Sequence, residues 1–246
     1  MNKITKGLIA AAKKLRSQLD LLRFSSPATW VYNPLHYAWS AHEKYMKLYT
    51  GGPCRVFLLG MNPGPWGMAQ TGVPFGEIDA VRNYLNIETD IGKPEREHAK
   101  RPIEGFACKR SEVSGKRLWG LFADRYPTAN DFFAEHYVSN YCPLVFMDDG
   151  ARNVTPDKLP AAEMKELDTL CDEHLHKSLV LLKPEFAVGV GAYAQDCLNR
   201  VCRSDPKLDS ISVCKILHPS PASPSANRGW AEQATKQLKD AGIWIE

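Results

Sequence analysis

Three polar side chains that could take part in chemistry stand at or near the ends of short apolar runs. Asn62 follows CRVFLLGM, Asn140 lies within HYVSNYCPL, and His218 ends SVCKILH. An amide offers a hydrogen-bond donor beside an acceptor, and an imidazole N–H can stabilise negative charge that develops on an oxygen atom. Because an amide is not a strong base at neutral pH, Asn62 is better suited to orienting a water than to deprotonating it.

The surrounding pattern indicates how these residues come together. Four apolar runs have the length of β-strands and are separated by polar and helical stretches. The predicted strands are 54–61, 136–144, 185–191 and 212–218, the predicted helices are 78–86, 115–124, 129–136, 161–182, 192–203 and 226–241, and 87–104 and 146–158 are predicted loops. This alternation favours a parallel sheet covered by helices, in which ligands bind at the carboxyl ends of the strands. We therefore expect Asn62, Asn140 and His218 to share one crevice.

Length and composition limit the class of protein. The 246 residues show no shift in composition, which predicts one domain over 1–246, and a net charge of +3 does not by itself indicate a nucleic-acid partner. Residues from about 3 to 23 have the spacing of an amphipathic helix, not of a signal peptide or membrane span. Seven cysteines without a C-x-x-C pair favour reduced thiols, so we expect no metal, no cofactor and no disulfide framework. We expect an intracellular monomer without membrane contact.

Longer signatures surround the ends of the apolar runs: GMNPGPWGMAQTGVPFGE, NYCP, GVGAYA and HPSPASPSANRGW. Together with SEVSGKRLWG, ARNVTP and FAVGVG, they resemble the single-strand-selective monofunctional uracil-DNA glycosylase family, a branch of the uracil-DNA glycosylase superfamily, over roughly residues 30–244. The first signature is long and highly specific, whereas the HPSP segment alone would be weak evidence. The resemblance implies a three-layer α/β/α fold around a central, mostly parallel four-stranded sheet.

The resemblance also implies a reaction. A base inside a duplex has no open face, so it must be flipped out or already unpaired before its N-glycosidic bond can be hydrolysed. We expect excision of uracil and of C5-modified uracil such as 5-hydroxymethyluracil from single- and double-stranded DNA, with deaminated purines such as xanthine as an open hypothesis. The expected location is intracellular and DNA-associated, in the cytoplasm or nucleoid of a prokaryote or the nucleus of a eukaryote. No lysine lies within the two main motifs, which argues against a Schiff-base lyase step. A catalytically weak damaged-DNA binder and a nucleoside hydrolase of the same fold are the alternatives.

A flipped uracil needs a stacking surface and a matching polar edge. Phe75 would supply the aromatic face, and Asn140 would accept from N3–H and donate to O4, a pattern that cytosine mismatches. Met61 and Met68 are expected beside the base. Gly64 stands where the stricter uracil-only relatives carry a tyrosine, so its lack of a side chain leaves room for a substituent at C5.

Two residues are expected to act on the bond itself. His218 would donate a hydrogen bond to uracil O2, where negative charge develops during cleavage. Asn62 stands where the stricter relatives carry aspartate, and it would position the attacking water through its carbonyl oxygen. Each candidate also has an ordinary structural interpretation: Asn62 and Gly64 as turn formers, Asn140 as a strand-end cap, and His218 as a structural histidine.

Contacts with the DNA backbone are assigned to the start of a predicted helix. Ser114 and Gly115 precede Lys116 there, and the N–H groups of such a helix terminus could hold a phosphate. The basic pairs at 100–101 and 109–110 could follow the strand, although such pairs in polar loops are usually solvated surface.

The segment after HPSP supplies the other candidate DNA contacts. Ser220 and Ser223 offer hydroxyl groups near the flipped nucleotide. Ala222 stands where the resembled family often carries an arginine that fills the gap left by the flipped base, and a methyl group cannot fill that gap. We therefore expect weak engagement of paired DNA unless Arg228 substitutes.

Overall fold

The central sheet has four parallel strands. The computed structural model describes residues 1–245. The strands of this sheet are β2 (Val56–Gly60), β3 (His136–Asn140), β6 (Phe186–Val190) and β7 (Ser212–Ile216), and their order is β3-β2-β6-β7. Each lies within one of the four apolar runs, and every pairing is parallel. The predicted sheet is therefore confirmed.

The register of these strands brings the polar residues to one edge. Gly60 at the end of β2 lies opposite Asn140 at the end of β3. In the other half of the sheet, Val190 of β6 pairs with Ile216 of β7, two residues before His218. Because parallel strands end on the same side, the segments that carry Asn62, Asn140 and His218 meet there.

Helices surround the sheet and complete the predicted α/β/α layers. They are α1 (Lys3–Leu19), α2 (Pro34–Tyr37), α3 (Trp39–Tyr49), α4 (Met68–Thr71), α5 (Val113–Arg125), α6 (Ala129–Phe133), α7 (Ala161–Leu182), α8 (Ala192–Cys202) and α9 (Trp230–Asp240). Helix α1 packs on α7 and α3, α8 covers β6, and α9 packs on β7 and α5. Within residues 1–245, no helix has the length and apolar content that crossing a membrane requires.

A second, antiparallel sheet lies where the sequence predicts a loop. Its three strands have the order β1-β4-β5, with β1 at Trp30–Tyr32, β4 at Val145–Met147 and β5 at Asn153–Val154. The prediction of a loop over 146–158 is wrong because short strands can form on either side of a turn that contains Gly and charged residues. Phe146 pairs with Val154, and both side chains are buried.

Several predicted helix boundaries also change. The N-terminal helix, predicted to extend to about residue 23, ends at Leu19, and Leu22 packs against the core from outside the helix. The predicted helix at 78–86 is a π-helical turn at Ala80–Tyr84. Helix 226–241 is divided by Gly229, whose φ of +100° is incompatible with a continuous helix.

Two deeply buried histidines make the stability of the fold depend on pH. His42 is 9% exposed and His136 is 1% exposed, and the Nδ1 atom of each donates to a backbone carbonyl. Burial lowers the pKa of each imidazole from 6.5 to about 4. Between these values the unfolded chain binds protons that the folded chain does not bind.

We therefore expect the free energy of unfolding to fall as the pH is lowered from 6.5 towards 4. Each histidine contributes a slope of about 1.4 kcal/mol per pH unit once the unfolded form is protonated. Urea unfolding at a series of pH values measures the slope, and His42→Gln should reduce it. The control is His36→Gln, because His36 is exposed. A stability that does not change between pH 6.5 and 4.5 would contradict the prediction.

Candidate active site

A cavity of about 340 Å³ opens at the carboxyl edge of the parallel sheet. Its lining contains all seven residues predicted to act on the base or the bond: Met61, Asn62, Gly64, Met68, Phe75, Asn140 and His218. Ser114 and Ser220 also line it. Sequence reasoning missed the other lining residues, which are Pro63, Pro65, Gly67, Glu112, Asn153 and Thr155.

The backbone of Phe75 is held in an unusual conformation. Its φ angle is +52°, a region that aromatic residues rarely adopt. Trp119 Nε1 donates to the Phe75 carbonyl oxygen over 3.1 Å. A Cβ atom at Gly115 would lie 2.0 Å from the same oxygen, and a Cβ at Gly60 would lie 2.5 Å from the Phe75 ring. Two glycines and one indole thus fix the position of the ring.

The amide of Asn140 has a defined orientation. The residue ends β3, is 9% exposed, and donates from Nδ2 to Met68 Sδ over 3.4 Å. A thioether sulfur can accept a hydrogen bond but cannot donate one, so the nitrogen of the amide must face it. Oδ1 and the second N–H therefore remain for a ligand.

Asn62 is also oriented through the nitrogen of its amide. Its Nδ2 lies 3.2 Å from the carbonyl oxygen of Leu144 and 3.3 Å from that of Pro63, and it donates to both. Within residues 1–245, Oδ1 of Asn62 accepts no hydrogen bond from the protein, although the residue lines the cavity. An acceptor oxygen in this position can hold a water molecule by one of its hydrogens.

His218 is an uncharged side chain at neutral pH. It follows β7, and burial lowers the pKa of its imidazole below the ordinary value of 6.5. A Cβ at Gly191 would lie 3.2 Å from the Cβ of His218, so the chain after β6 passes close behind it. The ring centroids of His218 and Phe75 are 6.5 Å apart. The cavity thus contains a neutral N–H donor beside the aromatic ring.

Glu112 caps helix α5 at the wall of the cavity. Its carboxylate accepts from the N–H groups of Ser114, over 3.1 Å, and Gly115. Burial raises the pKa of Glu112, and these two hydrogen bonds oppose the shift. A phosphate at the predicted site of Ser114 and Gly115 would therefore have to displace the Glu112 carboxylate from these N–H groups. Glutamate is an uncommon N-cap residue, so the role of Glu112 could not be predicted from the sequence pattern. Lys116 is exposed on the outside of the same turn.

Arg117 joins helix α5 to the loop after His218. Its guanidinium donates to the carbonyl oxygens of Pro219 and Ser220, over 3.1 and 3.3 Å, and to Asn227 Oδ1 over 2.8 Å. Asn227 in turn donates to the carbonyl of Pro221. Arg117 follows Lys116 in the sequence, and its hydrogen bonds are directed to the loop. It therefore positions the loop that carries the candidate DNA contacts.

Of the four candidate DNA contacts in this loop, two serines form hydrogen bonds within the loop and the other two residues are exposed. The hydroxyl of Ser220 accepts from the N–H of Ala222, and that of Ser223 accepts from the N–H of Ala226. Ala222 and Arg228 are exposed, and the Arg228 guanidinium is 3.4 Å from the hydroxyl of Ser225. The two serine hydroxyls thus shape the loop through local turns.

The second sheet completes the cavity mouth. Asn153 in β5 is exposed, and both Asn153 and Thr155 line the cavity. The sequence signal for them is the ARNVTP segment, which contributes to the family resemblance but carries no predicted role. The seven cysteines are free thiols, and residues 1–245 contain no group of three or more histidine, cysteine or carboxylate side chains that could hold a metal ion.

The chain is similar in sequence to a family model and to known proteins. The model of the Uracil DNA glycosylase superfamily matches residues 47–239. The single-strand selective monofunctional uracil-DNA glycosylase of Rattus norvegicus is 41% identical over 240 residues, covering 98% of this chain and 86% of its own length. The protein of the same name from Bos taurus is also 41% identical over 240 residues, covering 98% of this chain and 88% of its own length.

A solved structure shows the same fold at lower identity. The crystal structure of Pedobacter heparinus SMUG2 superimposes with a TM-score of 0.63 at 17% identity, and the match covers 95% of this chain and 99% of that one. Fold, site and family model together define a member of the uracil-DNA glycosylase superfamily, and within it the chain belongs to the single-strand selective monofunctional uracil-DNA glycosylases. It is accordingly a DNA N-glycosylase, a hydrolase of N-glycosyl bonds.

The contact between Gly115 and Phe75 gives a direct test of how the site is built. We expect Gly115→Ala to displace Phe75 and to lower glycosylase turnover by about 100-fold, as misplacement of a binding group by about 1 Å can do. Gly120→Ala is the matched control, because Gly120 lies in the same helix with nothing within 4 Å of a new Cβ. The control should retain turnover and gain up to about 1 kcal/mol of stability. Single-turnover rates and thermal unfolding distinguish the two variants. Full turnover by Gly115→Ala would show that the contact between Gly115 and Phe75 does not position the ring.

Proposed function

We propose that the protein removes uracil from DNA by binding the flipped base in this cavity and hydrolysing its C1′–N1 bond. The observation that carries the proposal is the combination, in one cavity, of a fixed aromatic ring, an oriented amide, a neutral imidazole and a free acceptor oxygen. The reaction needs each of these groups, and none of them requires a metal or an organic cofactor.

Asn140 recognises uracil through both ends of its amide. With one N–H of Nδ2 donated to Met68 Sδ, the other N–H can donate to uracil O4, and Oδ1 can accept from N3–H. Cytosine has an unprotonated N3 and an exocyclic amine, so it would face donor with donor and acceptor with acceptor. Each such unpaired buried group costs about 1–3 kcal/mol. Phe75 contributes the stacking surface beneath the ring.

His218 and Asn62 act on the bond that breaks. As C1′–N1 lengthens, electrons move onto the uracil and negative charge collects at O2, where the neutral imidazole of His218 donates a hydrogen bond. The sugar becomes electrophilic, and a water held by Asn62 Oδ1 adds to C1′ and loses its proton to solvent. No lysine is among the lining residues, so no amine is present there to form a Schiff base. The enzyme is therefore proposed to be monofunctional.

Gly64 sets the range of bases that can enter. An added Cβ at Gly64 would meet nothing within 4 Å, so the position beside the base is open. A small polar group at C5, as in 5-hydroxymethyluracil, is proposed to fit there, and the larger ring of xanthine is a further candidate for the same space. In the loop after His218, exposed Ala222 offers little to fill a duplex gap, which favours unpaired substrates over paired ones.

Removal of the two groups at the bond tests the proposed reaction. We expect His218→Ala to slow uracil release from single-stranded oligonucleotides by about 100- to 1000-fold, because it removes a transition-state donor. Asn62→Ala should slow uracil release by about 100-fold, because the attacking water is no longer held in position. Alkali-revealed strand cleavage under single-turnover conditions measures both, with His36→Ala as the surface control. Binding without release by the intact protein would instead support a damaged-DNA binder, and release only from free nucleosides would support a nucleoside hydrolase.

Filling the space at residue 64 tests the substrate range. We expect Gly64→Tyr to lower the release of 5-hydroxymethyluracil by about tenfold or more relative to uracil, since a bulky ring excludes the C5 substituent. Gly51→Tyr is the control, because Gly51 is an exposed glycine with the same open surroundings. The ratio of the two release rates is the measurement. An unchanged ratio in Gly64→Tyr would exclude Gly64 as the residue that admits C5 groups.

A further inference from the structure

The positive charge of the chain is concentrated in one segment. Residues 100–117 contain six basic and two acidic residues, a net charge of +4, whereas the whole chain carries +3. The remainder is therefore close to neutral. The six basic residues are Lys100, Arg101, Lys109, Arg110, Lys116 and Arg117. Among residues 1–245, none of them takes part in a salt bridge, although fourteen such pairs form elsewhere.

Two of these arginines converge on Trp66. The guanidinium carbon of Arg101 lies 4.9 Å from the centroid of the Trp66 ring, and that of Arg110 lies 5.6 Å from it. Trp66 is half-buried and Arg110 is exposed. Arg101 Nε is buried without a hydrogen-bond partner in the described part of the chain. The cluster therefore combines an aromatic ring, two planar cations and one unsatisfied donor.

The cluster adjoins the cavity that receives the base. Pro65 and Gly67, on either side of Trp66, both line the cavity. A Cβ at Gly67 would lie 2.9 Å from Glu112 Cγ, so the loop of Trp66 packs on the start of helix α5. Arg117 in that helix reaches the loop after His218. The start of helix α5 thus lies at the cavity wall between the loop of Trp66 and the loop after His218.

We propose that Trp66, Arg101 and Arg110 form a stacking platform for an unpaired base that neighbours the flipped nucleotide, with Lys109 and Lys116 contacting phosphates. This proposal rests on the proposed function. Bases stack on aromatic rings and on guanidinium planes irrespective of sequence, and backbone cations follow the strand. A paired base already stacks within its duplex and has no free face to offer, so the platform favours single strands.

A similar arrangement elsewhere in the protein provides the control. The guanidinium carbon of Arg96 lies 4.2 Å from the centroid of Trp30 in β1. Trp30 and Arg96 line a different depression together with residues at the end of α1, and neither of them lines the cavity. Loss of an arginine–tryptophan contact alone can therefore be compared with loss of the platform.

The experiment measures binding of single-stranded oligonucleotides that carry one 2′-fluoro-2′-deoxyuridine, a uridine whose glycosidic bond resists hydrolysis. Fluorescence anisotropy gives the Kd for the intact protein, Trp66→Leu, Trp66→Phe and the control Trp30→Leu. We expect Trp66→Leu to weaken binding by about tenfold, as loss of one base stack does, and Trp66→Phe to retain most of the affinity. Trp30→Leu should bind like the intact protein. The binding constant falls with salt concentration, and Lys109→Gln should reduce the steepness of its log–log plot by about 0.7, the contribution of one phosphate contact.

A second set of oligonucleotides replaces each neighbouring base in turn with an abasic spacer. For the intact protein, one neighbouring position should weaken binding by about the same factor as Trp66→Leu. The same spacer should have no further effect on Trp66→Leu, because the stacking partner is already absent. Equal spacer effects in both proteins, or unchanged binding by Trp66→Leu, would overturn the platform. Uracil release by the intact protein is measured in parallel, and failure there overturns the proposed function while the spacer comparison still tests the platform.

Discussion

The position of the Phe75 ring depends on two places where only glycine fits. The ring lies against Gly60 at the end of β2, and the Phe75 carbonyl oxygen lies against Gly115 in the first turn of α5. Any larger residue at either place would displace the ring from the edge of the sheet. The positive φ of Phe75 is sustained by these contacts and by the hydrogen bond from Trp119.

Around this ring, the site depends on the orientation of neutral groups more than on charge. The Met68 sulfur accepts from Nδ2 of Asn140, two backbone carbonyls accept from Nδ2 of Asn62, and both amides are thereby oriented. The imidazole of His218 stays uncharged through burial, and the carboxylate of Glu112 is occupied by the helix terminus that it caps. Fixed dipoles of this kind stabilise developing charge without reorganising during the reaction, which suits a bond that breaks to leave an anionic base.

Much of this arrangement could be predicted from the sequence, because it follows from the ends of parallel strands. The apolar runs located β2, β3, β6 and β7, and the rule for parallel sheets brought Asn62, Asn140 and His218 together. The rest depends on contacts that no local pattern encodes. β5 has only two residues and forms because Val154 pairs with Phe146. Glu112, distant in sequence from the strands, reaches the cavity only because α5 packs beside Phe75.

A crystal structure of the protein with a single-stranded oligonucleotide containing 2′-fluoro-2′-deoxyuridine would show how the base is held in the cavity. We expect the uracil ring to stack on Phe75, with Asn140 Nδ2 at O4 and Oδ1 at N3. We also expect His218 within hydrogen-bonding distance of O2, and a water between Asn62 Oδ1 and C1′. A uracil bound outside the cavity, or one whose polar edge faces away from Asn140, would contradict this arrangement.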